Sequence, residues 1–475
     1  TRRNGTRLMP KIVIAAFDGL QRSQISNELM PVVSELADKG VRFEHNHAVF
    51  PTVTRANSAS LVTGVTPGKH GLTANKSVYL DYSSTEVVDA LIPKLSEINN
   101  LTNGGLLFVP TLGELISQKN LKWVSVVGGT SGNAFVQHPN AAKYGDVIIH
   151  PEFTNPPEHY SIITEKFGEW PKKEAPAAAL VERTAEVAIE YALGELNPDV
   201  LLVWFPEPDT SQHAYGVDSP EAQQMYSLAD ANLGRLLESI SDSGEEPDVF
   251  VVSDHGYSTI DSVVDVHEAL VMAGFGPDQG DRSVVVAENG GSVLLYLPTK
   301  NNKLANDLID WLDAQKWVGA IATDIVAVAK PKFASISDIG LEGPRSPDVV
   351  VSMLSIETGQ PAPLERSGAA TGGVVGVGSH GGGSPAELHN TLIASGPSFL
   401  SRVQSQIPSG NIDVAPTVLD LLGISVPSHM DGRILTESLV DGTAPVESAS
   451  TNMFETSSVV RTATTCETTY LCEFG

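Results

Sequence analysis

The sequence predicts an α/β fold, a mostly parallel sheet with helices on both faces and inserted cap elements. Three observations predict it. Strand-length apolar runs recur along the chain, and β-branched residues dominate them. The runs are continuous rather than alternating, which marks strands buried on both faces. Stretches with helical spacing lie between them, the pattern of a parallel sheet covered on both sides.

The strands expected are "KIVIAAF" (11–17), "KWVSVVGG" (122–129), "VLLVWF" (200–205), "DVFVVS" (248–253), "DVVVSM" (348–353) and "NTLIAS" (390–395). The helices expected include "MPVVSELADKG", which stops at Gly40, and "ALVERTAEVAIEYALGEL", with apolar residues near every 3.6 positions. "SPEAQQMYSLADANLGRLLESI" opens on a Ser-Pro start signal, and "APTVLDLLGISVP" is a short helix that stops at Gly423. The rhythm breaks at about 76–120 and 131–175, rich in Asn, Pro and Tyr, and again at about 260–375. Residues 1–475 therefore read as one domain, with insertions at about 76–175 and 260–375 forming a cap. No internal repeat is visible.

The chain has 475 residues, 41% hydrophobic and 18% charged, the composition of a globular protein. Its net charge of −27 repels nucleic acid polymers and anionic membranes. A phosphorylated ligand would therefore need local positive charge, from metal ions or a few Arg and Lys. No apolar run approaches the roughly 18 residues that span a bilayer. The two cysteines, Cys466 and Cys472, stand close together in "CETTYLC". A local disulfide is expected, which points to an extracellular or periplasmic setting. Asn4 and Asn100 begin glycosylation sequons. Oligomeric state has no signature here.

In open α/β sheets, ligands bind beyond the carboxyl ends of the strands. Asp18 follows the first strand in "AAFDGL". Asp209 and His213 lie in "PEPDTSQHAYG" after "VLLVWF", and Asp254 and His255 in "SDHGY" after "DVFVV". His380 lies in the late Gly-rich loop, in "GSHGGG". One such residue reads as a turn, but six at strand ends read as a metal site. Carboxylate and imidazole together favour Zn²⁺ or a similar first-row ion. Six ligands are too many for one catalytic zinc and suit two ions of three ligands each.

Thr54, in "FPTVTRANSASLVTG", precedes a small-residue helix. Metal coordination makes a Thr hydroxyl an effective nucleophile, and a helix N-terminus favours a phosphoryl group. A plain N-cap is the bland alternative. Thr52 and Ser58 are competing hydroxyls. "GVTPGKH" lacks the length and the Ser or Thr of a phosphate-binding loop, and no helix follows "GVGSHG". His45, His47, His70, His389 and His429 show no partner pattern and are expected to be structural.

Together, "FDGL" (17–20), "FPTVT" (50–54), "LVTGVTPGKHG" (61–71), "EPDTSQHAYG" (207–216), "SDHG" (253–256) and "GSHG" (378–381) resemble the alkaline phosphatase superfamily. More narrowly, they resemble its nucleotide pyrophosphatase/phosphodiesterase branch. "IDVAPTVLDLLGI" (412–424) and "MDGRIL" (430–435) look like the closing elements of that family. The resemblance implies a two-zinc hydrolase of phosphodiester or phosphoanhydride bonds in a small phosphorylated substrate, working through a phospho-Thr54 intermediate. It implies that Asp209, His213 and His380 hold one metal. Asp18, Asp254 and His255 would hold the other, with Thr54 bound to it. Asn75, in "HGLTANKS", matches the Asn that donates to a phosphoryl oxygen, and Asn57 competes for that role. The chain departs from the nucleotide-hydrolysing pattern at Arg55, where those enzymes usually have Phe. An Arg there suits a phosphate or carboxylate. It keeps open a phosphomonoesterase or phosphonoacetate-type hydrolase as the alternative. Tyr79, Trp204 and Phe205 are candidates to line the leaving-group pocket, the last two serving equally well as strand-end core. A non-catalytic binding protein is disfavoured, because no ligand and no nucleophile is missing.

Overall fold

The computed structural model describes residues 11–277, 279–325, 333–443, 447–453 and 459–475. The sequon at Asn4 lies outside them. The main sheet has nine strands. Across the sheet they run Val403–Ser405, Val41–Phe43, Leu392–Ser395, Asp248–Val252, Ile12–Phe17, Val200–Phe205, Trp123–Val127, Val147–His150 and Phe153–Asn155. Ile12–Phe17 is parallel to both neighbours. Only Leu392–Ser395 and Phe153–Asn155 run against the rest. The α/β fold with a mostly parallel sheet is therefore observed, with "NTLIAS" and Phe153–Asn155 as its antiparallel exceptions.

Side-chain alternation divides the central strand between two cores. Ile12, Ile14 and Ala16 face Leu61, Val62, Ile116 and Val418. Val13, Ala15 and Phe17 face Val33, Val181, Leu233 and Leu236 from the helices on the other side. Helix Pro31–Lys39 stops at Gly40, and Pro220–Asp242 starts under a Ser219 cap that accepts from the Ala222 amide. The helix expected over 179–196 begins as Ala178–Val187 and continues in π-type winding over Ala188–Leu196.

The register places the site. Ala16 pairs with Val252 on one side and Trp204 on the other, and Phe17 pairs with Phe205. Three strands thus end level, so the residues that follow them emerge at one edge. The Asp18 amide donates to Phe205 O (3.1 Å) and the Asp209 amide to Asp18 O (3.0 Å), which stitches that edge together.

Two expectations need correction here. The run at 348–353 is a strand, Val349–Met353, but it belongs to a separate antiparallel sheet with Val285–Glu288, Ser292–Tyr296 and Val318–Thr323. It is buried on both faces there too, so its apolarity does not say which sheet it joins. The stretch 131–175 is not all insertion, since Val147–His150 and Phe153–Asn155 extend the main sheet.

Cys466 and Cys472 are unpaired, against expectation. Cys466 sits at the tip of the C-terminal hairpin. Cys472 lies beyond four paired rungs, from Thr465–Thr468 to Thr462–Leu471. At about 3.4 Å per residue that separation far exceeds the roughly 7 Å Cα limit for a disulfide.

Candidate active site

Thr54 is the first residue of the buried helix Thr54–Thr63, and extended Val53 precedes it. No side chain caps this helix. The Thr54 hydroxyl instead lies 3.3 Å from His255 Nε2. The N-cap reading fails on this geometry. The competing hydroxyls are engaged elsewhere. Thr52 Oγ1 donates to Gly382 O (2.7 Å) and accepts from the Gly381 amide (2.9 Å), and Ser58 Oγ donates to Asn133 O (3.4 Å).

Around Thr54 the structure gathers all six strand-end residues. Asp18, Asp254 and His255 form one buried group, and Asp209, His255 and His380 form another, each with ligand atoms within 4.8 Å of one another. His213 joins the second group. Its Nε2 lies 3.1 Å from His380 Nε2 and 3.4 Å from Asp209 Oδ1. His255 stands on the border, stacked on His380 with ring centroids 3.7 Å apart. The first group is buried, whereas the His213 side chain is 44% exposed, so the second group opens to solvent.

Each imidazole is aimed by its other nitrogen. Nδ1 of His213 meets Gly378 O (3.1 Å), Nδ1 of His255 meets Gly256 O (3.1 Å), and Nδ1 of His380 meets Thr52 O (2.7 Å). With Nδ1–H on a carbonyl, an unprotonated Nε2 can offer a lone pair to the site, the arrangement of metal-ligating histidines. The carboxylates are held similarly. Trp204 Nε1 donates to Asp18 Oδ2 (3.0 Å), the Gly19 amide to Asp254 Oδ1 (2.9 Å), and the Tyr257 hydroxyl to Asp209 Oδ1.

The electrostatics call for a cation. Burial, then the charges of Asp254 and Asp209, push Asp18 well above the carboxylate range, against the Trp204 hydrogen bond. Burial opposes the charged forms of Asp254 and Asp209 too, but their histidine neighbours pull both below the ordinary value. Burial, then the neighbouring His255, pushes His380 down to about 4, which leaves a neutral imidazole. Among the described residues, Asp18 Oδ1 and Asp254 Oδ2 are buried with no hydrogen-bond donor, and the nearest positive group is His255 Nε2, 3.7 and 3.1 Å away. Buried orphan carboxylate oxygens are costly unless something positive meets them. The donor set of imidazole nitrogen and carboxylate oxygen fits zinc or a similar first-row ion.

The His380 loop is built on buried Glu387. This carboxylate accepts from Ser258 Oγ (2.7 Å), the Gly382 amide (2.5 Å), Ser384 Oγ (3.1 Å) and Thr52 Oγ1 (3.2 Å). Gly381 has φ +106°, and an added Cβ would sit 1.9 Å from Asn289 O, so only glycine fits. Glu387→Ala leaves several buried donors unmatched. It is expected to cost about 3 kcal/mol of stability, read by denaturant unfolding.

The remaining expected site residues divide. Asn75 Oδ1 accepts from the Arg55 amide (3.0 Å), and its Nδ2 has no partner among the described residues. Asn57 has its amide occupied by Val49 O, Pro51 O and Val53 O, which removes it as the competing donor. Arg55 is buried beside Thr54. Its Nη1 pairs with Asp89 (2.5 Å) and donates to Asn75 O (3.2 Å), and Nε reaches Thr130 (3.4 Å). Tyr79 and Phe205 are not brought to the site. Both are fully buried, Tyr79 beneath the Arg345 guanidinium (4.4 Å) and Phe205 against Phe17 (5.3 Å). Neither offers surface to a ligand, because the strands and loops that carry them close over their rings. Trp204 contributes through its indole nitrogen.

Sequence reasoning missed Tyr257, Glu387 and Lys173. Tyr257 directly follows Asp-His-Gly, the one available signal. Lys173 is exposed. Two of the five histidines expected to be structural have hydrogen-bond partners of their own away from the site. His70 Nε2 meets Ser60 Oγ (2.9 Å) and His47 Nδ1 meets Ser409 O (3.0 Å).

Residues 12–355 match the family model for type I phosphodiesterase / nucleotide pyrophosphatase. The chain belongs to this family, a branch of the alkaline phosphatase superfamily. It is 23% identical over 255 residues to human ectonucleotide pyrophosphatase/phosphodiesterase family member 7, covering 53% of this chain and 48% of that one. It is 25% identical over 262 residues to the bis(5'-adenosyl)-triphosphatase ENPP4 of Pongo abelii, covering 53% and 49%. The chain thus spans about half the length of these relatives. Among solved structures, murine ectonucleotide pyrophosphatase/phosphodiesterase 5 superposes with a TM-score of 0.61 at 16% identity, covering 88% of this chain and 96% of that one. Phosphonoacetate hydrolase from Sinorhizobium meliloti gives 0.62 at 19%, covering 87% and 96%. These two likenesses concern the fold. The family match and the relatives support a hydrolase. No helix among the described residues is long and apolar enough to cross a membrane.

Proposed function

We propose that the chain hydrolyses phosphodiester or phosphoanhydride bonds of a small substrate, using two zinc ions and Thr54 as nucleophile. The observation that carries this reading is the position of Thr54. Its hydroxyl lies at a helix N-terminus, 3.3 Å from His255 Nε2, where the two acid–imidazole groups meet. Asp18, Asp254 and His255 would hold one ion, and Asp209, His213 and His380 the other. The ions would supply a lowered hydroxyl pKa and neutralise charge at phosphorus.

Thr54 Oγ–H gives up its proton to solvent and attacks phosphorus in line as the leaving oxygen departs with its electron pair. The new Oγ–P bond makes phospho-Thr54. Water then attacks the same phosphorus, the Oγ–P bond breaks, and a proton of that water returns to Oγ to restore the hydroxyl. Asn75, fixed through its Oδ1, turns Nδ2 toward a non-bridging oxygen, an oxyanion-type contact. The names of the relatives favour an extracellular setting, without support from a disulfide.

A second reading, a phosphomonoesterase or phosphonoacetate-type hydrolase, draws on Arg55 and Lys173. Arg55 has no hydrogen bond from Nη2 among the described residues, and Lys173 has no ion pair there. Arg55, beside Thr54, would meet an additional anionic group. Arg55→Ala is expected to raise KM for substrates with a second negative charge about tenfold, roughly 1.5 kcal/mol for one charge-assisted bond. Uncharged-leaving-group diesters should change little, and an equal loss on both would deny Arg55 a recognition role.

The discriminating assay compares bis-p-nitrophenyl phosphate with p-nitrophenyl phosphate on zinc-loaded protein, with and without chelator. Chelator-sensitive preference for the diester supports the first reading. Preference for the monoester moves the assignment to the second.

A further inference from the structure

Each site carboxylate has its own donor, and two of the three are unremarkable, an indole and a backbone amide. The third is the Tyr257 phenol. Tyr257 is fully buried. Its hydroxyl donates to Asp209 Oδ1 and also lies 3.2 Å from Asp209 O. That Oδ1 is the atom facing His213 Nε2 (3.4 Å) and His380 Nε2 (3.5 Å). The ring packs among His213, His255 and His380 with centroids 5.3, 5.7 and 5.2 Å away. Two glycines make room for it. A Cβ on Gly19 would sit 2.4 Å from the ring, and one on Gly378 would sit 2.8 Å from it.

We propose that Tyr257 is a positioning residue for the solvent-facing metal group, its hydroxyl fixing the Asp209 carboxylate and so setting metal affinity at that position alone. The inference rests on the two-metal reading of the site. A donor that locks a ligating carboxylate removes its rotational freedom before the metal arrives, and such partners contribute about 10–100-fold in affinity. The inner carboxylates do not share this donor. Asp18 is held by Trp204, and Asp254 by the Gly19 amide.

The test strips wild type and Tyr257→Phe with chelator and titrates each with Zn²⁺ against a chromophoric competitor. Wild type is expected to take up two ions. Tyr257→Phe keeps the ring and should keep one binding constant, while the other weakens about 10–100-fold. Turnover should return at saturating zinc. Tyr257→Leu, lacking ring and hydroxyl, should show the same selective loss with a lower Tm. Two constants within twofold of wild type in folded Tyr257→Phe overturn the proposal, whatever happens to Tm. Wild type binding fewer than two ions overturns the two-metal reading beneath it, which separates the two failures.

Discussion

Thr54→Ala is expected to abolish turnover while the protein still binds two metal ions. The hydroxyl that the substitution removes lies 3.3 Å from His255 Nε2, beside the two acid–imidazole groups. Thr54 opens a helix whose other residues are buried, and alanine suits that position as well as threonine does. The fold should therefore survive. Removing the nucleophile of an enzyme that forms a covalent intermediate can cost on the order of 10⁶-fold in kcat. Thr54→Ser keeps the hydroxyl and should retain part of the rate. Thr52 is no substitute, because its hydroxyl is tied to Gly381, Gly382 and Glu387. Steady-state kinetics beside metal analysis decides the matter, and retained turnover in Thr54→Ala would remove Thr54 as nucleophile.

The next largest effect is expected at His255. This imidazole belongs to both acid–imidazole groups, touches the Thr54 hydroxyl and stacks on His380. Burial opposes its charged form, but Asp254 and Asp209 together raise its pKa above the ordinary value. His255→Ala leaves Asp18 and Asp254 facing one another in a buried space with a positive partner removed. Metal uptake should fall to one ion or none, and turnover should fall below detection. Stability without metal should also drop, by about 3 kcal/mol for an uncompensated buried charge. His213→Ala is the contrast. His213 is half exposed and belongs to the outer group only, so one ion should remain. Equal losses in the two variants would deny His255 its bordering place.

Much of this was legible in the sequence, for a physical reason. A parallel sheet carries its site at the carboxyl ends of its strands. The apolar runs ending at Phe17, Phe205 and Val252 point directly to Asp18, Asp209 and Asp254. Level register then brings them together, which a linear pattern can suggest but not measure. His380 was legible through its Gly-rich loop, since Gly381 permits a close backbone approach that no other residue allows. What stayed hidden depends on distant contacts. An apolar strand at 349–353 does not reveal its sheet. Tyr79 and Phe205 look like pocket aromatics because exposure is not written in a residue's type. Neither the Trp204 indole nor the Tyr257 phenol advertises its carboxylate partner, 186 residues away from Asp18 in one case and 48 from Asp209 in the other. The two cysteines stand close in sequence, yet the hairpin register parts them.

The most direct measurement is the stereochemical course at phosphorus. A chiral phosphorothioate diester is hydrolysed in isotopically labelled water, and the product's configuration is read by NMR. Two in-line displacements through phospho-Thr54 each invert phosphorus, so net retention is expected. Net inversion would mean that water attacks the substrate directly, and it would contradict the role given to Thr54.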